Sequence, residues 1–86
     1  MKNYDSVVVG IDVSKEYLDV LLLPSESQKR VTNNEAGCAE LLAWLFSVTP
    51  SKIVLESTGG LEMLAAGILS AASLPVVVVN PRQVRD

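Results

Sequence analysis

The apolar residues of this chain fall into short runs whose period changes along the sequence, and each run predicts one element. Val7-Val8-Val9-Gly10-Ile11-Asp12 is the kind of β-branched run that forms a strand buried on both faces. Val13-Ser14-Lys15-Glu16 interrupts it, and strand character resumes from Tyr17 to Leu23. Two runs this close join only through a tight hairpin, which makes them antiparallel. Pro24-Ser25-Glu26-Ser27 supplies a second turn. Gln28 to Thr32 then reads as a short polar edge strand, where Lys29 and Arg30 discourage pairing with other chains.

From here the period lengthens. Asn33 or Asn34 caps a helix whose positive N-terminal end suits Glu35. Cys38, Leu41, Leu42, Leu45 and Phe46 recur on one of its faces, and it ends near Val48, ahead of Pro50. Lys52 to Glu56 is another apolar strand. Thr58-Gly59-Gly60 opens a second helix with Leu61, Leu64, Ala65, Ile68 and Leu69 on its buried face. Pro75 stops that helix, Val76 to Val79 form a last, fully buried strand, and Asn80 to Asp86 begin a further element.

The order βββαβαβ predicts an α/β domain with a mixed five-stranded sheet of order 3-2-1-4-5. Right-handed crossovers put both helices on one face and leave the other bare. A domain of this kind ordinarily covers that face with a helix after the last strand. Residues 1–86 are therefore expected to be a single partial domain, truncated so that one sheet face lacks its helices. The bare Val-rich face predicts homo-oligomers.

Composition narrows the chemistry. The 86 residues suffice for one small domain, and 49% apolar residues with a mean hydropathy of +0.34 exclude a disordered chain. A net charge of −3 gives no basic footprint for nucleic acid. The single Cys38 excludes an intrachain disulfide, and the lack of histidine rules out His-dependent triads and argues against a zinc cluster. Acid–base or metal chemistry therefore falls to carboxylates. Asp5 and Asp12 break the early apolar run, so it is no secretory signal. The uncharged stretch from Met63 to Pro81 switches from helical to strand period halfway, which makes it a helix and a strand rather than a membrane span. The expected location is cytoplasmic.

Asp12 closes the first strand and Glu56 the fourth. If those strands are parallel neighbours, both carboxylates emerge at one sheet edge, where open α/β sheets place their ligand sites. Acidic groups placed together repel unless a divalent cation or a shared proton compensates, and hard oxygen ligands select Mg²⁺ or Mn²⁺. Asp12 alone reads equally well as a solvated strand end; the paired placement favours function. Other candidates have plainer readings. Thr58-Gly59-Gly60 fits a cap and tight turn better than an anion site, and Lys15 an exposed turn lysine better than a phosphate contact. Arg82 and Arg85 fit a solvated helix face better than a nucleic-acid contact. Asp19 suits a pairing with a neighbouring cation, Trp44 partial core, and Cys38 a small buried hydrophobe.

Three separated motifs resemble one family. Gly10-Ile11-Asp12-Val13-Ser14-Lys15 followed by Leu18-Asp19-Val20, then Leu55-Glu56-Ser57-Thr58-Gly59-Gly60, then Val79-Asn80-Pro81-Arg82-Gln83-Val84-Arg85 are similar to the DEDD transposases of the insertion-sequence 110 family, relatives of the pilin-gene-inverting recombinases. The resemblance implies an RNase H-like, RuvC-like domain with a four-carboxylate metal site, a separate domain with a nucleophilic serine, and recombination of DNA directed by a structured bridge RNA. Asp12 matches the first carboxylate and Glu56 the second. The other two belong to an Asp-x-x-Asp motif that this sequence lacks, and the serine domain is lacking too. The expectation is a catalytic-domain fragment of a transposase or recombinase that binds Mg²⁺ or Mn²⁺ weakly and cuts no DNA alone. The lobe of an actin-like or sugar-kinase ATPase shares the strand order and the Gly-Ile-Asp opening. Those proteins, however, hold phosphate with glycine and threonines where Val13, Ser14 and Lys15 stand here. A non-catalytic oligomerising module is the third alternative.

Overall fold

The computed structural model describes residues 6–80. Its elements are β1 (Val8–Val13), β2 (Tyr17–Leu23), β3 (Gln28–Thr32), α1 (Glu35–Val48), β4 (Lys52–Glu56), α2 (Met63–Ala71) and β5 (Val76–Val79). They build one five-stranded sheet in the order β3-β2-β1-β4-β5. β1 runs antiparallel to β2 and parallel to β4, β2 and β3 are antiparallel, and β4 and β5 are parallel. This is the mixed sheet expected from the run order.

Period-two alternation sorts the strand residues onto two faces. Val9, Ile11, Val13, Leu18, Val20, Leu22, Val31, Ile53 and Leu55 point to one side and are buried in a single cluster with Cys38, Leu41 and Leu45 of α1 and Ala65 and Leu69 of α2. Both helices thus cover the same face. Each fully buried Leu or Ile contributes about 1.5–3 kcal/mol over an exposed one. α1 starts at Asn34, whose Oδ1 accepts from the Gly37 amide at 2.8 Å. Gly37 sits hard against β3: a Cβ there would fall inside contact distance of the Thr32 carbonyl oxygen. Only a residue without a side chain lets the helix approach this closely.

The burial differs from the expected pattern at four places. β1 is buried on one face only, because Val8, Gly10 and Asp12 look away from the helices. β5 is partly exposed rather than fully buried, with Val77 and Val78 at 41% and 44%. It pairs with β4 on one side, lies at the end of the sheet, and is shielded little by the short α2. α2 begins at Met63 and buries only Ala65 and Leu69, so Leu61 precedes the helix and, like Leu64, stays exposed. Phe46 in α1 is also exposed. The uncharged stretch is helix and strand as expected, and no helix among the described residues is long and apolar enough to cross a membrane.

Candidate carboxylate site at the ends of β1 and β4

The β1–β4 ladder aligns Gly10 with Val54 and Ile11 with Leu55. One step on, the same parallel register carries Asp12 and Glu56 out of the carboxyl ends of neighbouring strands. Residues paired across a ladder share a face, so both lie on the side away from the helices, and both are exposed. They line a shallow depression of about 380 Å³ together with Gly10, Asp19, Val54 and Thr58. Gly10 lowers its floor, since a Cβ at that position would project into open space.

Asp12 also faces Asp19 across the antiparallel β1–β2 ladder. Asp19 in turn faces Arg30 on β3 and takes both arms of its guanidinium, Nε to Oδ1 at 2.7 Å and Nη2 to Oδ2 at 3.2 Å. Those hydrogen bonds, reinforced by the cation's charge, hold the Asp19 carboxyl below its ordinary range and push the guanidinium's pKa up. The guanidinium also lies 4.3 Å from the centre of the Tyr17 ring. Asp19 thus has the cationic partner its sequence context suggested. Among the described residues the ion pairs are Arg30–Asp19 and Lys29–Glu40, and neither draws in Asp12 or Glu56.

The loops that follow the two acids are closed by hydrogen bonds of their own. After β1, Ser14 closes its turn with its backbone N–H donating to the Tyr17 carbonyl at 2.9 Å, and its Oγ accepting from the Tyr17 N–H at 3.2 Å. After β4, the Ser57 N–H donates to Val79 at 2.8 Å. Gly59 and Gly60 adopt positive φ of 71° and 105°, which turns the backbone amides inward. Oε1 of Glu62 accepts from the Thr58 N–H at 2.8 Å, the Thr58 hydroxyl at 3.1 Å and the Gly60 N–H at 3.2 Å. Those backbone and hydroxyl donors, the Thr58 amide foremost, hold the Glu62 carboxyl below its ordinary range. The Thr58-Gly59-Gly60 turn is therefore filled by the protein's own carboxylate. Asn33 joins the two loops: its Nδ2 donates to the Ser14 carbonyl at 2.9 Å and to the Leu61 carbonyl at 3.1 Å.

Glu62 was no sequence candidate, and Asn33 was one only as an alternative cap of α1, a role that Asn34 takes. The spacing of Thr58 and Glu62 is one residue longer than a capping box, with Gly59, Gly60 and Leu61 between them, and Asn33 is overshadowed by the neighbouring cap Asn34. Lys15 is exposed on the β1–β2 turn, as expected. Arg82 and Arg85 lie outside the described residues. Among the described residues no group of three or more acidic, Cys or His side chains converges on a point. Asp12 and Glu56, two hard oxygen donors without a cation, suit a divalent ion as a pair but do not enclose one.

The profile of the transposase family of DEDD, insertion-sequence 110 type matches residues 9–86. The chain belongs to that family. The matched segment begins at the second residue of β1 and takes in both candidate carboxylates. The fold is similar to that of T. thermophilus RuvC, solved in complex with a Holliday junction substrate, with a TM-score of 0.63 at 19% identity. The likeness covers 91% of this chain and 66% of that one, so the chain spans just under two thirds of the RuvC chain's length. At that identity the likeness is one of fold: a RuvC-like sheet. No curated protein sequence matches the chain.

Proposed function

We propose that Asp12 and Glu56 are metal-ligating residues of a DNA transposase or recombinase, the part of its catalytic domain that this chain supplies. The observation that carries the reading is their emergence from adjacent parallel strands on the open face, with no cation among the described residues set against either. Family membership and the RuvC-like fold support it. A bound Mg²⁺ or Mn²⁺ would supply charge stabilisation at a phosphodiester and a more acidic attacking water. The chain's own part is to hold two carboxylates at the ends of adjacent strands on the open face of the sheet. Two carboxylates by themselves hold a divalent cation weakly, since such ions take about six oxygen ligands.

DNA is the partner this reading expects, supported by the Holliday junction bound to RuvC. Lys15, exposed on the turn beyond Asp12, is the residue this reading would assign to a backbone phosphate, with Arg82 and Arg85 as candidates for the same role. The family likeness also brings in a structured bridge RNA, and the reading keeps the cytoplasmic setting expected from the sequence. Partly exposed Leu23 and Val77 on the open face support pairing of two copies through it.

The test is Mn²⁺ added to ¹⁵N-labelled protein. Paramagnetic broadening centred on the amides around Asp12 and Glu56, and reduced in Asp12→Asn, is the expected result. Diffuse broadening that Asp12→Asn leaves unchanged overturns the proposal.

A further inference from the structure

The two candidate carboxylates sit on different strands, yet the loops leaving those strands are tied by one side chain. We infer that Asn33 is a positioning residue that sets the separation of Asp12 and Glu56, an inference that rests on the metal-site reading above. Its amide nitrogen carries two hydrogens, and both are used: one on the Ser14 carbonyl at 2.9 Å, the other on the Leu61 carbonyl at 3.1 Å. Its backbone N–H donates to the Glu16 carbonyl at 2.9 Å, so the residue itself is fixed to the β1–β2 turn.

A tie between loops moves the acids only if each loop is rigid. Ser14 lies two residues beyond Asp12, in the turn closed by its own bonds to Tyr17. Leu61 lies beyond Glu56, in a loop knotted at both ends: Ser57 is pinned to Val79, and Glu62 gathers the amides of Thr58 and Gly60. Each loop therefore transmits the position of its carbonyl back to its acid. The β1–β4 ladder's described pairs end at Ile11 and Leu55, one residue short of the acids. Each acid still pairs outward, Asp12 with Asp19 of β2 and Glu56 with Val79 of β5, but no described pair joins β1 to β4 beyond that point, and there the Asn33 bridge ties the two strands' loops together. Neighbouring Asn34 has a different task, capping α1 through Gly37, and touches neither loop.

The experiment compares Mn²⁺ binding by the full 86-residue chain, its Asn33→Ala variant and its Asn34→Ala variant, read from amide broadening around Asp12 and Glu56. The expected result is that Asn33→Ala needs about tenfold more Mn²⁺ for the same broadening, the scale seen when a partner that orients a ligand is removed. Asn34→Ala, which loses a cap but no bridge, should match wild type. Asn33→Ser, which retains the backbone bond and one hydroxyl donor, should fall between, and it stands in if the alanine variant fails to fold. Folded Asn33 variants that bind as wild type does overturn the inference alone. Equal weakening in Asn34→Ala overturns it as well, because the effect would then follow stability rather than position. Absence of localised broadening in wild type overturns the metal reading and this inference with it.

Discussion

Asp12 and Asp19 stand directly opposite each other in the β1–β2 ladder, and of the two only Asp19 has a cation against it among the described residues. Like charges so placed repel, and the two-armed Arg30 contact removes most of that repulsion from the Asp19 side. Asp19 is offset by Arg30, whereas no ion pair among the described residues draws in Asp12. The site's negative potential is therefore concentrated on Asp12 and Glu56.

Replacing the guanidinium makes this measurable. Arg30→Gln leaves Asp19 uncompensated opposite Asp12, which lowers the thermal midpoint at low ionic strength and raises Mn²⁺ affinity severalfold, because the divalent ion loses a nearby positive charge. Added salt should shrink both effects. Melting curves and Mn²⁺ titrations at two salt concentrations check this; a salt-independent change would point instead to lost packing against Tyr17.

Acid stability follows from the two carboxyls held low. Asp19 and Glu62 release their protons more readily in the folded chain than in the unfolded one, so on the acid side the unfolded state binds more protons. Their contribution is complete above the unfolded carboxyl range, about pH 4–5, and is lost as pH falls through their folded values. Urea midpoints between pH 7 and pH 2.5 should thus decline only on the acid side. Glu62→Gln keeps the acceptor oxygen without the charge, and should be less stable at pH 7 with a shallower acid decline.

At the start of α1, two substitutions should differ in size. Asn34→Ala removes a capping acceptor and should cost about 1 kcal/mol. Gly37→Ala drives a methyl group into the Thr32 carbonyl and must shift α1 or β3, costing about 1–3 kcal/mol or more. Chemical unfolding of both variants checks the ranking.

Cys38 is wholly enclosed in α1, and burial pushes its thiol pKa up. It should resist alkylation at pH 8 in the native protein and react at the free-thiol rate in denaturant. The native rate then reports opening of the core. Fast native labelling would show that α1 separates from the sheet readily.

The sheet was legible in the sequence because its strands are short apolar runs separated by turn residues, and β2, β3, α1 and β4 have the expected bounds. The parallel placement of Asp12 and Glu56 followed from the strand order alone. The exposure of β5 did not: four consecutive valines look the same in a central strand and an edge strand, and only the sheet order distinguishes them. Asn33 was illegible for another reason. Its acceptor in Leu61 is 28 residues away, and a hydrogen bond to a backbone carbonyl leaves no mark on the identity of the residue that accepts it. Glu62 needed the three-dimensional turn made by Gly59 and Gly60 before its role had any meaning.

The register of β4 against β1 gives the hydrophobic core an unexpected duty. Side chains alternate, so a slip of one residue would rotate Glu56 under the helices and Leu55 out to water. That mispairing exchanges a buried leucine for a buried, unpartnered carboxylate, one of the costliest swaps a small domain can make. Ile53 and Leu55, which touch no substrate in any reading, therefore act as an alignment key. A chain that has closed its core has already aimed its acids, and misregistered copies are discarded by folding itself rather than by loss of activity later.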